Sequence, residues 1–238
     1  MKRLTAALTL LLTLASPIFA QENGDQPRES VAPFTWRNIG PANMMGRIAA
    51  IDAVNSDYRQ VLVGSASGGV YKSDNAGVTW TSIFDDYGSQ SIGDVAFFQA
   101  DPDLIWVGTG EATNRNSVGW GDGLYKSTDG GETFTHAGLR ETRQISEIAT
   151  HPTDPDIVYV AAIGSLFGPS GERGLYRTTD GGETWRRLSN GLPENGTIGA
   201  TVVALHPRDP DVVFVGLYER HRSAFNMKGN ISGRQRLI

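Results

Sequence analysis

The chain has 238 residues, a formal net charge of −5 at pH 7, 39% hydrophobic residues, 29 glycines and no cysteine. The acidic balance argues against nucleic acid as a partner, since phosphate backbones are bound by basic surfaces. The absence of cysteine excludes disulfides and a lipidated cysteine anchor. The glycine content predicts many tight turns.

The first 20 residues predict a cleavable secretory signal peptide. Lys2 and Arg3 precede an apolar run that ends at Leu14, and small residues follow. The run is shorter than the roughly 18 apolar residues that indicate a membrane span, and no later segment comes closer. We expect cleavage after Ala20, with Ala15 as the alternative. The mature protein is therefore expected to be secreted or periplasmic, with no membrane span.

Residues 21–33 form a polar linker in this interpretation, and residues 34–238 form one repetitive domain. The segment Thr35–Ile39 resembles the strands that follow later repeated turns but has no such turn before it. In a closed ring of repeats, an orphan outer strand of this kind completes the last unit.

A turn followed by an apolar strand recurs four times. The turn begins at an aligned aspartate, three times as DPD, and leads into VLVG, IWVG, VYVA and VFVG. The four aspartates are Asp57, Asp101, Asp154 and Asp209. A second strand precedes each turn, and its equivalent residues are Ile51, Val95, Ile148 and Val203.

A second repeated turn follows three of these units, about 50 residues apart, with the pattern S-x-D-x-G-x-T-W known as the Asp-box. Its key positions are Ser73, Asn75, Gly77 and Trp80, then Ser127, Asp129, Gly131 and Phe134, then Thr178, Asp180, Gly182 and Trp185. The carboxylate can accept backbone N–H bonds, glycine can adopt positive φ, and the aromatic ring can pack between sheets. We predict a structural staple without a catalytic role, weaker at the uncharged Asn75.

Each unit therefore has four antiparallel strands in about 50 residues, which is the blade of an all-β propeller. The fourth repeat begins at Ala200 and is expected to lack its third strand and its box. The sequence thus predicts an incomplete ring of about three and a half blades, truncated in the fourth.

The runs VLVGSASGGVYKS, VGTGEATNRNSVGWGDGLYKSTDGG and GSLFGPSGERGLYRTTDGG resemble bacterial exported proteins related to the sortilin receptor propeller. These Asp-box, or bacterial neuraminidase repeat, proteins are often labelled glycosyl hydrolase. The resemblance covers residues 34–229 and implies a large propeller, ten-bladed in the receptors, that binds peptide or protein ligands in its tunnel. A sialidase likeness would imply an arginine cluster, a Tyr–Glu nucleophile pair and an Asp acid/base. Gly46-Arg47-Ile48 only partly matches the sialidase arginine motif.

The loops between second and third strands are long and carry charge with an aromatic residue, which suits recognition of a peptide, protein or glycan. The candidate ligand-binding residues are Glu111, Asn114, Arg115, Trp120, Arg173, Glu219, Arg220 and Arg222. In the alternative interpretation, Glu111 and Arg115 only tie down their own loop by ion pairing.

Asp94 and Glu147 occupy the same place in successive innermost strands, where Ala50 and Val202 stand in the others. Two carboxylates about 5 to 9.5 Å apart could catalyse glycoside hydrolysis. A water-filled channel also accommodates polar side chains without catalysis, and that interpretation is favoured. The histidines have no metal-ligand spacing, so neither metal nor cofactor is expected.

The sequence therefore favours an exported propeller that binds a peptide, protein or glycan through loops on one face. The alternative is a glycoside hydrolase whose site is completed by further blades. Catalytic residues cannot be assigned from the sequence.

Overall fold

Three four-stranded antiparallel sheets follow one another along the chain in the computed structural model, which describes residues 46–113, 115, 117–223, 226–228 and 236–237. The predicted signal peptide, the linker and the orphan strand Thr35–Ile39 lie outside these residues. No helix in these ranges is long and apolar enough to cross a membrane.

Each sheet is one blade, with its strands in chain order from the innermost to the outermost. Blade 1 consists of β1 (Ile48–Val54), β2 (Asp57–Ser65), β3 (Val70–Ser73) and β4 (Thr81–Ser82). Blade 2 consists of β5 (Ile92–Phe98), β6 (Asp101–Thr109), β7 (Leu124–Ser127) and β8 (Thr135–His136). Blade 3 consists of β9 (Ile145–Thr150), β10 (Val158–Ala162), β11 (Gly174–Thr178) and β12 (Arg186–Leu188), and a short 3-10 helix (Arg140–Thr142) precedes it. The predicted all-β blades are confirmed.

The fourth sheet contains β13 (Ile198–His206), β14 (Asp209–Glu219) and β17 (Arg236–Leu237), and a hairpin of β15 (His221–Ser223) and β16 (Asn226–Lys228) follows β14. β17 pairs with Phe214 and Val215 of β14. The prediction that this blade lacks a third strand was therefore wrong. The open edge of β14 presents unpaired N–H and C=O groups that a short extended segment can satisfy, whatever its sequence pattern.

The core lies in the gaps between neighbouring blades. Leu62 of blade 1 and Ile92 of blade 2 are buried in the first gap. Trp106 of blade 2 and Ile145 of blade 3 are buried in the second. Innermost strands of successive blades lie side by side. Gly93 permits the approach of β5 to β9, because a Cβ there would lie 1.8 Å from the carbonyl oxygen of Ile145.

Each Asp-box turn is held by its own side chains. The Ser127 hydroxyl donates to Asp129 Oδ1 at 2.7 Å, and the same oxygen accepts Thr133 N at 2.9 Å. Asp180 repeats both bonds in the third turn. Asn75 accepts the equivalent backbone bond at 2.8 Å. The turn glycines all have positive φ: 83° at Gly77, 94° at Gly131 and 94° at Gly182.

The aromatic residue of a box packs against the preceding blade. Phe134 lies with its ring centroid 5.2 Å from Phe84 and 5.4 Å from Tyr87. Trp185 meets Trp106 edge to face at 6.3 Å. The predicted packing of box aromatics between sheets is confirmed at both gaps.

We expect Asp180→Ala to lower the melting temperature by a few degrees, because the backbone N–H of Thr184 loses its acceptor. Bonds from the Thr178 and Thr184 hydroxyls lower the pKa of Asp180 to about 2. The carboxylate thus stabilises the fold above its unfolded pKa of about 3.9 and loses this effect as the pH falls through about 2.

Thermal melts followed by circular dichroism at pH 7 check this expectation. Asp180→Asn is the matched control, since Asn75 makes the equivalent bond in the first turn. An alanine variant that melts with the wild type would show that this side chain does not staple the turn.

The two ends of the blades differ. At one end, which we call the turn face, the DPD turns contact the boxes: Gly130 N donates to Asp103 O at 2.9 Å. At the other end, which we call the loop face, the loop between β6 and β7 meets the connections between blades. There Gly121 N donates to Arg143 O at 2.7 Å and Gly110 N to Ser91 O at 2.6 Å. The repeated turns and the long loops therefore lie at opposite ends of the blades.

Candidate functional site

The long loop after β6 is fixed at its base by an ion pair with blade 1. Glu111 is completely buried, and Arg47 donates from Nε and Nη2 to its two carboxylate oxygens. The Thr113 hydroxyl donates to the same carboxylate. Burial acts to raise the pKa of Glu111, but the bonds from Arg47 and Thr113 together with nearby positive charge outweigh it, and the pKa lies below the ordinary value. The carboxylate is therefore held ionised beneath the surface.

Two buried arginines tie the loop face together from other blades. Arg220, at the end of β14, donates to Ala112 O at 3.1 Å and Thr113 O at 3.0 Å. Arg173 is buried, and donates to Thr197 O at 2.7 Å and to two carbonyls of its own loop. Both side chains donate hydrogen bonds to loop carbonyls that are not part of a strand ladder and would otherwise be buried without a donor.

Trp120 is the prominent exposed group of this loop, with 51% of the residue accessible. The guanidinium of Arg143 lies 4.5 Å from the indole ring, a cation–π arrangement. The carbonyl of Trp120 accepts a bond from the Ser89 hydroxyl. The indole thus stands on a loop fixed from the two connections that flank blade 2.

Asp122 anchors the same loop on its other side. Its carboxylate accepts bonds from Ser89 N at 3.3 Å, the Thr109 hydroxyl at 3.2 Å and the Tyr125 hydroxyl at 2.6 Å. Burial, and then the bond to Asp122, raise the pKa of Tyr125 to about 12. Tyr125 therefore stays a hydroxyl donor at physiological pH and keeps the loop in place.

The structure brings part of the predicted ligand surface together. Glu111, Arg173 and Arg220 lie beneath the loop face, whereas Arg115 and Trp120 are exposed on it. Glu219 is half-buried and accepts a bond from the Thr197 hydroxyl at 3.3 Å. Asn114 and the side chain of Arg222 lie outside the described part of the chain.

Sequence reasoning did not assign the partners of these residues. Arg143 has φ of 61° and follows a short 3-10 helix, and neither feature is visible in the sequence pattern. Phe167, in the corresponding loop of blade 3, is 48% exposed. The sequence could have identified Phe167 in one way only: it lies in the loop that corresponds to the Trp120 loop of the neighbouring repeat.

The inner-strand carboxylates make a repeated contact between blades. Asp94 Oδ2 accepts Ile148 N of blade 3 at 2.6 Å, and Glu147 Oε2 accepts Val203 N of the fourth sheet at 2.8 Å. Asp52, which the comparison of the repeats within this chain did not single out, accepts a bond from Phe97 N of blade 2 at 2.8 Å. Each carboxylate therefore clamps the backbone of the next blade.

These three carboxylates share a small cavity of about 290 Å³ along the inner strands. Burial, followed by the charges of Glu147 and Asp52, raises the pKa of Asp94 to about 7. Burial also raises the pKa values of Asp52 and Glu147. Within the described ranges, no group of three or more His, Asp or Glu side chains could hold a metal ion.

Parts of this chain are similar in sequence to known proteins. Residues 122–231 match the family described as "Sortilin, neurotensin receptor 3". A segment of 94 residues is 32% identical to vacuolar protein sorting/targeting protein 10 of Colletotrichum graminicola, covering 39% of this chain and 6% of that protein. This half of the propeller is therefore similar in sequence to the sortilin family.

Glycoside hydrolase relatives align over more of this propeller. A xyloglucanase of a Paenibacillus species is 26% identical over 202 residues, which is 79% of this chain and 19% of that enzyme. Xyloglucanase Xgh74A of Acetivibrio thermocellus is 27% identical over 208 residues, 82% of this chain and 24% of the enzyme. The chain thus spans a quarter or less of the length of these curated relatives.

Solved structures show the same fold. An ancestral GH74 enzyme superposes with a TM-score of 0.57 at 18% identity, covering 82% of this chain and 26% of that one. The GH74 xyloglucanase of Xanthomonas campestris gives a TM-score of 0.55 at 21% identity, covering 71% of this chain and 26% of that one. At these identities the likeness establishes the propeller fold alone.

Proposed function

We propose that this propeller is a non-catalytic recognition module of an exported protein, and that it binds an extended glycan on its loop face around Trp120. The observation that carries the proposal is an exposed indole on an anchored loop. Rigid aromatic side chains with one free face bind flat, partly apolar ligands at little entropic cost. The apolar face of a sugar ring is a ligand of this kind.

Two further observations favour a glycan over a peptide. Phe167 offers a second exposed aromatic ring in the equivalent loop of the next blade, as a repeating polymer would need. The relatives that align over most of the chain are named xyloglucanases, whereas the sorting protein aligns over 39% of it. Export of the module rests on the predicted signal peptide.

We expect Trp120→Ala to weaken binding of a xyloglucan oligosaccharide about tenfold or more, as loss of a central aromatic anchor does. Isothermal titration calorimetry measures this change, with Trp120→Phe retaining part of the affinity. Trp80→Ala is the matched control, because Trp80 is also 43% exposed but belongs to an Asp-box on the turn face.

Equal binding by wild type and Trp120→Ala would place the glycan elsewhere, and an equal loss in both tryptophan variants would indicate damage to the fold. If peptides from an array bind while oligosaccharides do not, and Trp120→Ala abolishes that binding, the ligand is a peptide.

Glycoside hydrolysis is the second candidate, favoured by Asp94 and Glu147. Their raised pKa values and shared cavity suit acid/base chemistry. Against it, one oxygen of each carboxylate is already bound to the backbone of the next blade. Release of reducing sugar from xyloglucan, lost in both Asp94→Asn and Glu147→Gln, would favour hydrolysis over simple binding.

A further inference from the structure

The connection from blade 2 to blade 3 holds an arginine in an uncommon backbone conformation beside the Trp120 loop. Arg143 has φ of 61°, and Leu139 in the same connection has φ of 57°. Residues other than glycine adopt positive φ rarely, and they keep it where surrounding contacts fix the backbone. Here the carbonyl of Arg143 accepts a bond from Gly121 N at 2.7 Å. The backbone of the Trp120 loop therefore helps to hold Arg143 in place.

The loop and the connection approach each other too closely for a larger residue at the start of the loop. Gly110 has φ of 86°, and a Cβ at this position would lie 2.0 Å from the carbonyl oxygen of Arg143. The positions of Arg143 and Trp120 relative to each other are thus set by two backbone segments in direct contact.

The guanidinium of Arg143 lies over the indole of Trp120, 4.5 Å from the ring centre. A guanidinium in this position keeps N–H groups at its edge, and two parallel N–H groups match the oxygens of one planar anion. Packing on the ring also restricts the long side chain, so that less rotamer entropy is lost when a ligand binds. The side chain is therefore oriented in advance for an anion beside the exposed indole.

The carboxylates of the same loop do not neutralise Arg143. Glu111 is buried against Arg47, and Asp122 lies 3.6 Å from Arg140. No ion pair between residues that the structure describes includes Arg143. The exposed aromatic platform thus has a cation on it whose charge is not balanced by a carboxylate in the described part of the chain.

We propose, on the basis of the glycan-binding function above, that the preferred glycan is acidic and that Arg143 binds its carboxylate or sulfate group. One sugar lies against the exposed part of the indole, and the N–H groups at the edge of the guanidinium donate to an anionic group on the next sugar. The whole chain has a net charge of −5, so long-range attraction does not favour an acidic ligand. The preference comes from the local contact with Arg143.

The test measures binding to the full chain by isothermal titration calorimetry, with two charged ligands and their uncharged counterparts. The carboxylate ligand is an oligogalacturonate, compared with its methyl ester. The sulfate ligand is a sulfated galactose oligosaccharide, compared with its desulfated form. We expect at least one charged ligand to bind about tenfold or more tightly than its counterpart. The larger of the two affinity ratios identifies the anion.

Arg143→Gln is expected to lower this affinity ratio to about one, because the amide cannot form a charge-assisted pair with the anion. Arg143→Lys should retain part of the ratio, since it keeps the charge but loses the planar fork. Arg208→Gln is the control, because it removes the same charge from an exposed residue beside a DPD turn on the turn face. Thermal melts by circular dichroism check that each variant folds.

The outcomes separate this proposal from glycan binding itself. Equal binding of charged and uncharged ligands, still lost in Trp120→Ala, would overturn the acidic preference and leave the glycan-binding function intact. A ratio that Arg143→Gln leaves unchanged, or that Arg208→Gln lowers equally, would also overturn the role of Arg143. If none of the four oligosaccharides binds, the proposed function fails together with the acidic preference.

Discussion

Arg47→Ala is expected to lower the free energy of unfolding by about 2–3 kcal/mol, because it leaves a buried carboxylate without its cation. Glu111 is fully buried, and Arg47 supplies two of its hydrogen bonds from blade 1. The estimate lies below the usual cost of breaking a buried pair, since the Arg47 side chain is 30% exposed and water can partly replace it. Urea unfolding at pH 7 measures the change.

The pH dependence separates this effect from a simple loss of packing. In the wild type the pKa of Glu111 is lowered, so the pair stabilises the fold above the unfolded pKa and is lost as the pH falls through the folded pKa. Without Arg47, burial instead raises that pKa, and the penalty is relieved in acid. The difference between wild type and variant should therefore shrink as the pH falls.

The double variant Arg47→Ala with Glu111→Gln provides the rescue, since a neutral amide costs less to bury than a carboxylate. It should recover part of the lost stability at pH 7. A double variant no more stable than Arg47→Ala would show that the cost comes from lost packing of the arginine side chain, and not from the uncompensated charge.

The blades could be predicted because their signals are local and repeated. Three spaced copies of one turn, with short apolar strands around them, define strand order and the face that each turn occupies. The packing of Phe134 and Trp185 on the preceding blade follows from the same repetition. An isolated box would have predicted a hairpin and nothing about its neighbours.

The loop face could not be predicted in the same way, because its contacts join distant residues. Arg47 and Glu111 are 64 positions apart, and Arg220 and Thr113 are 107 apart. Irregular loops leave backbone carbonyls unpaired, and long arginine side chains can reach them from other blades. For this reason Arg173 and Arg220, which look like surface charges in the sequence, lie buried.

Asp94→Asn is expected to stabilise the protein at pH 8, which is the reverse of what removing a charged contact usually does. The amide oxygen can still accept the bond from Ile148 N, while the cost of burying a charge beside Glu147 and Asp52 disappears. Because Asp94 lines the cavity along the inner strands, where water can reach part of its side chain, we expect a gain of about 1–2 kcal/mol, less than the full pKa shift would give.

The direction in which the free energy of unfolding changes with pH follows from a folded pKa of about 7 and an unfolded pKa of about 3.9. The wild type carries the full penalty above about pH 7 and is relieved of it as the pH falls towards 4. The advantage of Asp94→Asn should therefore be largest at pH 8 and smaller at pH 5. Urea unfolding at both pH values measures it, with the exposed Asp86→Asn as a control for surface charge.

The two outcomes assign different roles to the clamp between blades 2 and 3. A variant that gains stability at pH 8 indicates that the ionised carboxylate destabilises the fold at this position and that a neutral side chain is preferred there. A variant that is less stable than the wild type at both pH values would instead show that the charge strengthens the bond to Ile148 by more than its burial costs. Because Glu147 repeats the contact with Val203, the same result would then extend to the next gap.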